Sequence, residues 1–94
     1  MYLYNISIII EESQHQELLP WIQQSWAPAL PAEVKLLKML NSPHEGHTYC
    51  VQLIASDEND IQQFQSEHLL SLQNYITQHH HEKAFIFDSV MQYL

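Results

Sequence analysis

The run Tyr2-Leu3-Tyr4-Asn5-Ile6-Ser7-Ile8-Ile9-Ile10 decides the fold of this 94-residue chain. Its even positions, Tyr2, Tyr4, Ile6, Ile8 and Ile10, are all apolar, whereas its odd positions read Leu3, Asn5, Ser7 and Ile9. Strand side chains point alternately to the two faces of a sheet, so the even set is suited to packing under helices. The odd set is too apolar for open solvent, yet it carries two polar groups that suit a partly enclosed, damp surface. Such a strand asks for a cover on its second face, and a second copy of the chain supplies one most simply.

Beyond Ile10 the period changes. Glu11 and Glu12 end the strand, and Ser13 with Gln16 three residues later predicts a capping box. Leu18, Trp21, Ile22, Ser25 and Ala29 recur at helical spacing, with Trp26 at the edge of the stripe. Pro20 predicts a kink or a restart, and Pro28 and Pro31 stop the helix. Residues 34–40 read as a second strand, which Lys35 and Lys38 place at the sheet edge. Residues 41–46 hold Pro43 and the only glycine and read as a hairpin connection.

The third strand, His47–Ala55, presents Tyr49, Val51 and Leu53 on one face and Thr48, Cys50, Gln52 and Ile54 on the other. Ser56 or Asp57 caps a second helix reaching about residue 78, with Ile61, Phe64, His68, Leu72, Tyr75 and Ile76 in its stripe and Leu69 flanking. Residues 84–93, rich in aromatic and β-branched side chains, form the last strand.

The order β-α-β-β-α-β with right-handed crossovers predicts an α+β, ferredoxin-like fold in one domain, residues 1–94. Its four-stranded antiparallel sheet would carry both helices on one face. The open face would hold Asn5, Ser7, Cys50, Gln52 and Asp88, mixed with Leu3, Ile9, Ile54, Ile86 and Val90.

Composition narrows the function classes. Eleven acids face three bases, Lys35, Lys38 and Lys83, for a formal net charge of −8 with no arginine. Nucleic-acid binding needs clustered Lys and Arg against phosphates, so it is disfavoured, as are anionic membranes and phosphorylated ligands. Cys50 stands alone, which forbids an intramolecular disulfide and suits a buried inert thiol. The chain opens in a strand pattern without a basic leader, and no apolar run approaches spanning length. A soluble cytoplasmic protein is expected.

The chain resembles a small bacterial family, Domain of Unknown Function 4286, along nearly its whole length. The resemblance is carried by Tyr4-Asn5-Ile6, by Trp21 followed by Pro28, by Gly46-His47-Thr48-Tyr49 with Gln52 after it, and by Glu67-His68. Trp26 stands where the family pattern has a histidine, and Ser71 where it has an arginine. The resemblance implies a ferredoxin-like fold of the dimeric α/β-barrel group, whose members close the open face by pairing two sheets. It implies no activity.

Candidate chemistry is sparse. A single glycine excludes a phosphate-cradling loop, no serine sits in a nucleophile elbow, and Cys50 has no basic neighbour in sequence. No cofactor is implied. His79, His80 and His81 are consecutive at a helix end and read as structural residues or a solvated tail. His44 and His47 bracket a hairpin around Glu45, a weak zinc candidate short of a fourth ligand. His68 lies in an apolar stripe and reads as a buried imidazole unless a cavity reaches it. The best ligand-pocket candidates are Asn5, Ser7, Cys50, Gln52 and Asp88, which would line the space between two paired sheets. The expectation is a homodimer with a binding or assembly role. The alternatives are a cofactor-independent oxygenase or isomerase acting on an apolar small molecule between the sheets, and a metal-binding or regulatory module.

Overall fold

In the computed structural model, which describes residues 1–94, the chain runs β1 (Tyr2–Ile10), α1 (Glu12–Trp21), β2 (Lys35–Lys38), β3 (His47–Ala55), α2 (Glu58–Phe64), α3 (Leu70–His79) and β4 (Ala84–Gln92). The strands form one antiparallel sheet in the order β2-β3-β1-β4. This is the ferredoxin-like arrangement, with β2 and β4 at the edges.

The alternation of β1 sets the layers. Tyr4, Ile6, Ile8 and Ile10 are fully buried beneath the helices together with Val51 of β3, and Leu53 is buried beside them. Leu18, Ile22 and Trp26 close this core from the first helical arm, and Ile61, Phe64, Leu69, Leu72 and Ile76 from the second. Each fully buried large apolar side chain contributes roughly 1.5–3 kcal/mol. The ring of Tyr4 meets that of Phe64 edge-on at 6.0 Å.

Both helical arms contain a π turn, Ile22–Trp26 after α1 and Gln65–Leu69 between α2 and α3. A π turn holds more residues than an α turn, so it rotates the apolar stripe that follows it. In the first arm Trp26 enters the core, while Ser25 and Ala29 are exposed instead of buried. In the second arm Leu69 takes the core position that α-helical spacing assigns to His68. The capping box is not formed: α1 begins at Glu12, and the Ser13 hydroxyl donates to the Glu11 carboxylate at 2.9 Å. Asp57 caps α2 as expected, accepting from the Asp60 amide.

β4 corrects one set of expected positions. Asp88 pairs with Ile6, Ile86 with Ile8 and Val90 with Tyr4, so all three share the helix-covered side of the sheet. The open face of β4 carries Phe85, Phe87, Ser89 and Met91. Apolar residues fill both faces of this strand, so alternation alone could not orient it. The pairing of Ile10 with Ala84 does.

Gly46 ends the β2–β3 connection at φ 84°, where a Cβ would stand 2.3 Å from the Ile10 carbonyl oxygen. Glycine is required there both for the left-handed backbone and for the close approach.

Candidate functional site

The register brings together four of the five pocket candidates. Asn5 faces Gln52 and Ser7 faces Cys50 across β1 and β3, all on the open face. The Gln52 amide donates to Asn5 Oδ1 at 3.2 Å, the Asn5 amide donates to Ser7 Oγ at 3.1 Å, and Ser7 Oγ lies 3.8 Å from Cys50 Sγ. This polar row is internally paired. Around it stand Leu37, Ile54, Phe85, Phe87 and Met91, all exposed, with Phe87 at 60%. Single chains rarely expose contiguous apolar surface of this kind unless it binds something.

Asp88 does not join the row. On the opposite side of the sheet it accepts a 2.6 Å hydrogen bond from the Tyr4 hydroxyl. Burial, helped by this acceptor, pushes the Tyr4 phenol well above its ordinary range, partly opposed by Gln65. None of the four main clefts is lined by Asn5, Gln52 or Asp88.

A cleft of about 390 Å³ does reach His68. It opens because β2 is short: Lys35, its first residue, pairs with Gln52, so no strand covers β3 beyond that point. Leu53 and Phe64 form its apolar floor, and Glu33, Asp60 and Glu67 stand around its mouth. The π turn aims His68 here. Its ring packs against Phe64 at 5.0 Å, its Nε2 lies 3.7 Å from the Glu67 carboxylate, and its backbone carbonyl accepts from the Trp26 indole at 2.9 Å. Successive residues on an α-helix face different ways, so the proximity of Glu67 and His68 was not legible from spacing.

A second cluster, absent from the sequence expectations, lies where α1 crosses β3. The rings of His15 and His47 stack, the Tyr49 hydroxyl and His15 Nε2 share a 2.7 Å hydrogen bond, and His47 Nε2 bonds the Glu12 carboxylate. Burial holds His15 below the usual imidazole value, with the neighbouring His47 acting the same way and Glu12 opposing. Burial also raises the Tyr49 phenol. A signal was present: His15, Leu18, Leu19 and Ile22 fall at the 0, 3, 4, 7 spacing of one helix face.

His47 is thus occupied by Glu12 and His15, and no three His, Cys, Asp or Glu side chains converge to hold a metal ion. The zinc candidate His44–His47 has no geometric support. The histidine run divides: His79 leans on Tyr75, His81 is exposed beside Glu82, and His80 is buried, its Nδ1 2.8 Å from Gln14 Oε1. His80 is therefore a structural contact to α1, whereas His81 is solvated. Cys50 is free and buried. No helix is long and apolar enough to cross a membrane.

A family model described as Domain of unknown function (DUF4286) matches residues 1–94. No curated protein matches the chain. Among solved structures, an ethyl tert-butyl ether d (EthD) family protein from Bacillus halodurans superposes with a TM-score of 0.65 at 12% identity, covering 100% of both chains. At that identity the likeness shows the fold alone.

Proposed function

The chain belongs to the family described as Domain of unknown function (DUF4286), and on that premise we propose that it acts as a homodimeric binding or assembly domain, closed through the open face of its sheet. The observation that carries this is the composition of that face. Exposed Leu37, Ile54, Phe85, Phe87 and Met91 surround the row Gln52, Asn5, Ser7 and Cys50. An apolar field with a short, self-satisfied polar strip suits an interface whose register is set by hydrogen bonds. A two-fold axis presents the same surface to itself, so no second specificity is needed.

No charged side chain of β1, β3 or β4 lies on this face; Lys35 at the β2 edge is the charged group of the paired strands there. Face-to-face packing therefore brings few like charges together in a chain of net charge −8. Stable interfaces bury about 800 Å² per partner, which a four-stranded sheet face can provide. The test is Phe87→Glu with Met91→Glu, both at exposed positions. The expected result is a folded monomer by circular dichroism and sedimentation. An assembly state identical to that of the parent chain overturns the assignment of the face.

A further inference from the structure

We propose that the cleft beside His68 binds a small organic cation, a protonated amine carried on an apolar body. The cleft is lined by one chain, at the sheet edge that β2 leaves uncovered, and it shares only Ile54 with the open face assigned to the homodimer. Its volume of about 390 Å³ falls in the range of small-molecule sites.

The lining specifies the ligand in two parts. Glu33, Asp60 and Glu67 ring the mouth, and no lysine or arginine lines the cleft. Charge complementarity therefore selects a cation and excludes carboxylates and phosphates. Beneath the rim, Leu53 and Phe64 form a buried floor, and the His68 ring stands against Phe64 as an aromatic wall. A hydrated metal ion gains nothing from that floor, and no three His, Cys, Asp or Glu side chains converge to hold one. An amine with an attached ring or short chain satisfies both parts, its ammonium at the carboxylates and its body on Leu53, Phe64 and His68.

The backbone holds the wall in place. In an unbroken α-helix His68 would occupy the core stripe; the Gln65–Leu69 π turn gives that position to Leu69 and turns His68 toward the cleft. The Trp26 indole bonds the His68 carbonyl and so braces this turn from the opposite helical arm. Unusual helical turns of this kind recur at functional sites.

The test is titration of the isotope-labelled full chain with 2-phenylethylamine, followed by amide resonances, with 2-phenylethanol and ethylamine as comparators. Saturable shifts confined to residues 31–33, 53–56 and 60–68, with affinity at least about tenfold above either comparator, are expected. Glu67→Gln, at an exposed position, is expected to weaken the amine about threefold while leaving 2-phenylethanol unchanged. Unsaturable shifts spread over the acidic surface, equal binding of the alcohol, or shifts at other residues overturn the proposal.

Discussion

The imidazole rings of His15 and His47 lie face to face, 3.6 Å between centroids and 13° from parallel, joining α1 to β3. Two charged rings at that separation repel, so the pair accommodates one proton far better than two. Lys38 on β2 adds positive charge from the next strand, Glu12 on α1 opposes it, and the buried Tyr49 bonds His15 Nε2. On the far flank of α1, buried His80 meets Gln14, held below its ordinary value by burial and by His79, against Glu17.

A pH dependence follows. The folded values of His15 and His80 lie below the ordinary 6.5. Beneath that pH the unfolded chain binds more protons than the folded one, so the contribution is complete above 6.5 and is lost as pH falls from there through the lower folded values. The urea midpoint is expected to drop between pH 7.5 and pH 5.5, and the drop should shrink in His15→Gln and His80→Gln. An identical pH slope in the parent and both variants would contradict this account.

Gly46→Ala is expected to destabilise by about 1–3 kcal/mol, because the left-handed φ and the 2.3 Å approach to the Ile10 carbonyl must both be relieved. Denaturant unfolding reads the loss directly. A stability equal to that of the parent would mean the connection re-forms without glycine.

Tyr4→Phe keeps the buried ring and removes its bond to Asp88. A hydrogen bond to a charged acceptor contributes about 1.5–3 kcal/mol, and the exposure of Asp88 places this one near the lower end. The same urea series applied to Asp88→Asn, which keeps an acceptor, is expected to show a smaller loss. Equal losses in the two variants would remove the charge from the explanation.

The layering of the fold was legible because β1 alternates strictly and β3 follows it; the paired positions Asn5–Gln52 and Ser7–Cys50 came with that alternation. Asp88 was misplaced because Phe85, Ile86, Phe87, Val90 and Met91 leave β4 apolar on both faces, and only pairing with β1 orients it. His68 was misplaced for a different reason. Phe64 and Leu69 are five apart, a spacing that a π turn converts into neighbours on one stripe, whereas a 3.6-residue period cannot. The His15–His47 contact joins residues 32 positions apart, and local periodicity does not encode such distances.

The central claim, self-association through the open sheet face, is tested most directly by the solution mass. Light scattering on a sizing column, across a dilution series through the micromolar range, measures it. The predicted result is twice the 11.1 kDa chain mass, persisting at low micromolar concentration. A mass of one chain throughout the series would contradict the account and leave the apolar face to a different protein.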